Sequence, residues 1–401
     1  MEEWKEYQLR DFMEFNPTIK LPKNTMARKV AMDQLIPHCR DIYNWDYEPY
    51  TGGAKFENGD TIMARITPCL ENGKHAYVSF LDKDEVAYGS TEYIVIRGRS
   101  GISDNKFVYY LSHCPAFKNA AIKSMVGTSG RQRAQVDVLE NMKMSLPALK
   151  EQQQIADMLS SLDDKVDCNK RINDNLGQQA QALFKSWFVD FEPFRDGEFV
   201  DSELGLIPKG WAVKQLGDIT TQQNEKVKNR TDVKVLSPIT TGKLVLSEEY
   251  FTKQVFSESV SKYIVVKPGD FAYNPARVNI GSLGINEFDF DGCVSPVYVV
   301  FRCEDEYQYF FDLFRRTDTF NEEVKTRAIG GVRQSLGYND FSLIKVVYPP
   351  KNVVNKFNQI YSRFLIQTKH NDKEMVNLSK LRDELLPKLM SGELKVDDLK
   401  V

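Results

Sequence analysis

The feature that most constrains this chain is an internal echo. WKEYQLRDF at residues 4–12 returns as WAVKQLGDI at residues 211–219, so that Trp4, Leu9 and Asp11 are matched by Trp211, Leu216 and Asp218. NGDTIMAR at residues 58–65 is answered by PGDFAYNP at residues 268–275. GTSGRQR at residues 127–133 has a thinner copy, GGVRQS, at residues 330–335; Arg131-Gln132 stand against Arg333-Gln334 at an offset of 202, which Pro147 and Pro349 share. The landmarks keep their order and the offset drifts by only a few residues. A period near 200 is far longer than the roughly 20–50 residues of solenoid repeats. The chain reads as two copies of one domain-plus-helix unit.

Each copy opens with a mixed region. In the first, strand-like runs fall at residues 61–66, 76–80 and 92–97, and a helical stretch at residues 115–126 precedes the Gly/Arg loop. In the second, strands are expected at residues 263–266 and 297–302. A long helical pattern closes each copy. After Pro147 the seam residues step by four and three through Ile155, Leu159, Leu162, Val166, Asn169, Asn173, Leu176, Ala180, Leu183 and Trp187. The matching seam is Phe357, Tyr361, Phe364, Thr368, Asn371, Met375, Leu378, Arg382, Leu385 and Leu389, with Asn169 and Asn371 at equivalent places. Polar residues at such positions cost stability but fix register and partner, which predicts that the two helices pair with each other. A helix of about 35 residues is about 50 Å long, a strut. Pro193 is expected to stop the first, Gly392 to end the second, and Pro387 to kink its last turns.

Bulk properties exclude several classes. The 401 residues are 42% hydrophobic and 27% charged, as in ordinary soluble proteins, and fit two or three domains. The opening MEEWKEYQ is acidic and polar, unlike a signal peptide, and no apolar run approaches the roughly 18 residues that span a bilayer. A cytoplasmic location is expected. None of the six cysteines forms a C-x-x-C pair, so reduced thiols are expected. The His-Cys neighbours at 38–39 and 113–114 offer one ligand each at most, because adjacent side chains of a strand point to opposite faces, and no metal site is expected. The net charge of −3 leaves local basic clusters to carry any nucleic-acid argument. The phosphate loop G-x-x-x-x-G-K-[ST], H-E-x-x-H, G-x-S-x-G and G-x-G-x-x-G are all missing. Asn16-Pro17-Thr18 and Asn274-Pro275-Ala276 fall short of the N/D-P-P-Y/F motif of DNA amino-methylating enzymes. The reading is a binding protein.

Five segments together give a resemblance. They are the W-x4-L-x-D opening of each half, NGDTIMARI, GTSGRQRAQV followed by LPALKEQQQIA, the junction DSELGLIPKGW, and the closing LLPKLMSGEL. In this order they resemble the specificity subunit of type I restriction–modification enzymes over nearly the whole chain. The resemblance implies an α+β fold: two mixed α/β target-recognition domains separated by two long antiparallel helices forming a coiled coil, with a pseudo-two-fold internal repeat. It places the first recognition domain at 1–147, its helix at 148–190, a linker at 191–207, the second domain at 208–350, its helix at 351–392 and a tail at 393–401. It implies that each domain reads one half of a split, asymmetric DNA site. The helices would set the spacing and dock two methyltransferase subunits, which restriction and motor subunits join. Catalysis, S-adenosylmethionine, ATP and magnesium would belong to those partners. The second half departs from the pattern, with PPKNV at residues 349–353 where the glutamine-rich helix start would be.

Arg65, Lys74, Lys123, Arg131 and Arg133 are the first-half candidates for phosphate or guanine contacts, with Gln132 and Gln135 for adenine edges and Thr128 and Ser129 in the same loop. Asn274, Arg277, Asn279, Lys325, Arg327, Arg333 and Gln334 are their second-half counterparts. Phe184, Trp187 and Phe188 are read as exposed and as candidates for docking a partner, against the alternative of seam and domain packing. Rival readings are a non-enzymatic coiled-coil scaffold and a DNA-modifying enzyme with unrecognised motifs.

Overall fold

A computed structural model describes residues 4–251, 256–257, 259–328 and 335–399. The fold is mixed α/β with two long helices, Leu149–Phe188 and Lys351–Ser391. The chain divides into two compact units, one of Met1–Ile172 with His370–Val401 and one of Asn173–Lys369, so each long helix contributes a part to each unit.

The first unit holds two four-stranded sheets. One runs Met13–Phe15, Tyr93–Gly98, Thr61–Ala64, His75–Tyr77. The other runs Asp46–Pro49, Met26–Val30, Ala87–Gly89, Lys55–Phe56. Thr61–Ala64 lies between two antiparallel partners, and all four of its residues are buried, which is why it is continuously apolar after its threonine rather than alternating. A short pair, Lys5–Gln8 with Lys143–Leu146, leads into the first long helix. Helices Asn105–His113 and Pro115–Lys123 pack on the first sheet side, in one core with Phe12, Phe107, Phe117, Ile155 and Leu159, and with Leu386, Leu389 and Met390 from the second long helix. Fully burying side chains of this size stabilises by about 1.5–3 kcal/mol each. Within this unit the two helix segments run antiparallel, since Asp163 meets Arg382 while Asn169, two turns on, meets Glu374.

The second unit has the same sheet orders. Thr220–Gln223, Val299–Cys303, Phe271–Tyr273 and Leu283–Ile285 form one sheet; Leu244–Leu246, Lys234–Pro238, Gly292–Val294 and Ile264–Val266 form the other. In both units the second sheet contains one parallel contact, Met26–Val30 with Ala87–Gly89 and Lys234–Pro238 with Gly292–Val294.

The repeated Gly-Asp dipeptide makes the same corner twice. Gly59 and Gly269 sit at φ +95° and +85°, where a side chain is strained. An added Cβ would also lie 2.7 Å from the Asn105 amide and 2.9 Å from that of Gln308. Asp60 accepts the Glu57 backbone N–H at 2.8 Å and is gripped by Arg97 at 2.6 and 2.8 Å. Asp270 accepts from Lys267 N–H at 3.0 Å and from Arg302 at 2.6 and 3.1 Å. Burial raises the Asp60 carboxyl, and the bonds from Arg97 and the Glu57 N–H pull against it.

The segment read as an acidic connector, residues 191–207, is folded. It makes a one-turn helix, Glu192–Phe194, then a hairpin of Phe199–Ser202 with Gly205–Pro208. Its aromatic residues decide this, with Phe191 and Phe194 packing on Trp211 at 5.5 and 5.0 Å. Pro387 lies inside its helix, which continues to Ser391 before Gly392 turns it at φ +74°. The first long helix ends at Phe188, before Pro193, and Phe191 follows in the left-handed region.

Candidate nucleic-acid interface

The GTSGRQR loop of the first unit is closed by backbone. Val126 and Arg133 exchange both N–H···O bonds, at 3.1 and 3.0 Å. The returning strand then ties to the end of Thr61–Ala64: Ala134 N–H donates to the Arg65 carbonyl at 2.8 Å, and Thr67 N–H to the Gln132 carbonyl at 3.0 Å. Inside the loop, Arg131 N–H donates to the Thr128 carbonyl at 2.9 Å, and Gly127 and Gly130 supply the positive φ that the turn needs.

Side chains divide into two groups. Arg133 grips Glu92 with Nε and Nη2 at 2.6–3.0 Å, and those bonds hold the Glu92 carboxyl below its usual range. Arg65 donates to the Ala134 carbonyl at 3.0 Å, Lys74 to the Met32 carbonyl at 2.7 Å, and Gln135 to the Arg133 carbonyl at 2.8 Å. Gln132 is half-buried against the same strand end. Arg65, Arg133 and Gln135 brace the loop's stem, while Lys74 is committed elsewhere. Lys123, Thr128, Ser129 and Arg131 are exposed, and neither Lys123 nor Arg131 makes an ion pair among the described residues. A tip with one unneutralised cation, two hydroxyls and open backbone suits the phosphates and base edges of a duplex.

In the second unit, Asn274 closes a turn by accepting the Ala276 N–H at 3.0 Å, and Arg277 is exposed beside it. Asn279 and exposed Lys325 line a cleft of about 450 Å³ with Ile280, Asp318, Asn321 and Glu322. Arg327 is held by Glu323 at 2.9 Å. Arg333 and Gln334 lie outside the described residues. The tether of the first unit has its counterpart even so: Leu336 N–H donates to the Pro275 carbonyl at 3.0 Å, as Ala134 does to Arg65. Glu92 carried no signal in the sequence, because the fold alone brings it to Arg133.

The long helices hold their seams unevenly. Ile155, Leu159, Asn169, Phe357, Tyr361, Asn371 and Leu389 are buried; Leu162, Val166, Leu176, Leu183, Phe364, Leu378 and Leu385 are half-buried. Phe184 and Phe188 correct the sequence reading: they are 1% and 4% exposed, inside an aromatic cluster with Phe310, Trp211 and Phe357, and Trp187 packs against it. They are core residues, since the helix turns that face inward and not outward. Among the described residues no three His, Cys, Asp or Glu side chains gather as for a metal ion, and no helix is long and apolar enough to cross a membrane.

Residues 1–178 match the type I restriction modification DNA specificity domain. The chain is 28% identical to the MjaIX specificity subunit of Methanocaldococcus jannaschii, over 74% of this chain and 70% of that one. It is 25% identical to the HindI specificity subunit of Haemophilus influenzae, over 98% of this chain and all of that one. The chain is thus similar to type I restriction specificity subunits, by domain over residues 1–178 and by relatives over most of its length. The fold is shared with a solved structure: the S subunit of the type I restriction–modification system of M. genitalium, 14% identical, superposes with a TM-score of 0.53 over 96% of both chains.

Proposed function

We propose that the chain is the non-catalytic specificity subunit of a cytoplasmic type I restriction–modification complex. Residues 1–147 and 208–350 each read one half of a bipartite, asymmetric site. The helices at 148–190 and 351–392 set the spacing and dock two methyltransferase subunits, and restriction and motor subunits join that core. S-adenosylmethionine, ATP and magnesium act on those partners. The observation that carries this reading is one frame presenting two different surfaces. The sheet orders and Gly-Asp corners recur, while the strand end that receives the loop is Arg65 in one unit and Pro275 in the other. Two unlike readers on one chain call for two unlike half-sites, where two identical readers would call for a palindrome. Each good bidentate base contact adds about 1–3 kcal/mol of discrimination, and joining the readers makes the second docking intramolecular.

The test is methylation mapping in cells with and without the gene, paired with reconstitution. The expected outcome is one asymmetric, gapped adenine-methylation motif that disappears with the gene. The purified chain alone should leave DNA unmodified, and with methyltransferase subunits should methylate that motif. Activity of the isolated chain on DNA would overturn the proposal in favour of an enzyme; partner binding with no sequence dependence would favour a scaffold.

A further inference from the structure

We propose that Tyr110, Asp163 and Arg382 form a positioning node that fixes where the first recognition domain sits on its helix pair, and with it the place of that domain's half-site. The inference rests on the DNA-reading function proposed above. Asp163 lies on the first long helix and is 5% exposed. It accepts a hydrogen bond from the Tyr110 hydroxyl, on helix Asn105–His113, at 2.6 Å. It accepts another from Arg382 Nη1, on the second long helix, also at 2.6 Å. Three segments remote in sequence therefore close on one carboxylate.

The packing around the node is of another kind. On one side Ile155 and Leu159 share a core with Leu386, Leu389 and Met390. Aliphatic side chains of similar volume substitute for one another readily, so this surface alone tolerates a slipped seat. The node does not. A slip of one helical turn moves a partner by about 5.4 Å and leaves a buried charge unpaired. Exchanging a whole buried ion pair for apolar residues is often neutral or stabilising, whereas removing one member is strongly destabilising. The node therefore contributes uniqueness of seating more than stability. The neighbouring ion pairs Arg40–Asp164 and Lys165–Glu374, at 2.7 and 3.5 Å, each include a largely exposed group and are screened by water, while the Tyr43 hydroxyl, donating to Asp167 at 2.9 Å, ties the domain to the first long helix but does not reach the second.

The experiment uses the full chain reconstituted with methyltransferase subunits, on duplexes whose half-sites are spaced at the native length and at one base pair shorter and longer. The unaltered chain should prefer native spacing by about tenfold or more, the scale of losing one base-pair contact. D163L/R382L should unfold at the same or a higher temperature, yet prefer native spacing by no more than about threefold. Y110F, which removes only a hydroxyl, should lose part of the preference and serves if the double variant does not fold. Full spacing preference in folded D163L/R382L, or in Y110F if the double variant fails, would overturn the proposal. So would loss of methylation at every spacing by a folded double variant, which would indicate a general structural role. If the unaltered chain shows no sequence-dependent methylation, the function reading fails instead. The node is then judged by hydrogen exchange over residues 105–113 and 378–386. D163L/R382L should exchange there at least about tenfold faster at unchanged thermal stability, and unchanged protection would overturn it.

Discussion

The two units solve the same joint with opposite chemistry. In the first, a tyrosine on the domain's helix, Tyr110, donates to an acid on the long helix, Asp163. In the second, a tyrosine on the long helix, Tyr361, donates at 3.4 Å to an acid on the domain's own helix Gln308–Phe314, Asp312. The arginines differ in origin as well. Arg382 reaches Asp163 from the other long helix, whereas Arg315 and Arg316 reach Asp312 from the chain immediately after its helix, at 2.6–2.9 Å. Burial resists ionisation of Asp312, and those two guanidiniums outweigh it and hold its carboxyl below the usual range. The acid of the second joint is thus satisfied locally, and that of the first only by a distant partner. The shared frame is fixed by backbone ties and the Gly-Asp corner, while the joint has been met independently in each unit.

The largest effect should come from the local network of the second unit. Arg315→Met leaves Asp312 buried with one fewer guanidinium and also strands the Leu283 and Gly242 carbonyls that Arg315 reaches at 2.9 and 3.0 Å. It should cost about 3–5 kcal/mol in urea unfolding. Arg316→Met, at a side chain 45% exposed, should cost less than about 1 kcal/mol. Equal losses would mean that the joint is not organised around Arg315.

The shared corner gives the next test. Asp60→Asn and Asp270→Asn each weaken two charged bonds from an arginine and should cost about 2–3 kcal/mol apiece. A large cost in one unit alone would break the equivalence drawn between them.

Acid should then separate the units. All four histidines lie in the first, and burial pushes His75 down to about 3. The unfolded chain takes up that proton near 6.5, so the stabilisation is whole above about pH 6.5 and is lost as pH falls toward 3. Between pH 7 and 5 thermal unfolding should report a loss of about 2 kcal/mol from this group. His75→Phe should make the profile shallower, the rest being left to His113, which burial also pushes well down, and an unchanged slope would assign the sensitivity elsewhere.

Smallest in stability is Arg131→Ala, with a change within about 0.5 kcal/mol. It should nevertheless lower the salt dependence of DNA binding by about one unit of slope if Arg131 meets a phosphate. An unaltered slope would leave the tip's cation without that role.

Much of the frame was legible because backbone geometry writes itself in glycine, aspartate and periodicity. Expected strands at 61–66, 92–97 and 263–266 are Thr61–Ala64, Tyr93–Gly98 and Ile264–Val266. Pro147 and Pro349 stand just ahead of the long helices. What stayed hidden depends on three dimensions. Arg133 and Arg131 look alike in the string, and only the arrival of Glu92 from 41 residues away commits one of them inward. Phe184 and Phe188 are spaced like an exposed stripe as readily as like a buried one, and the core of their unit decides. The folded segment 191–208 was masked by its acidic composition, because the aromatic contacts that anchor its Phe191 and Phe194 are supplied by Trp211 and Trp187.

The braced loop has a consequence for how such a chain can change over generations. Its closing pair Val126–Arg133, the Glu92 grip and the tie to Arg65 hold the stem, whereas the side chains of Thr128, Ser129 and Arg131 are exposed. Substitutions at the tip therefore leave the fold almost untouched, and those at the stem do not. A surface arranged in this way lets variation accumulate where contact with the outside is made, on a base that selection for folding keeps constant.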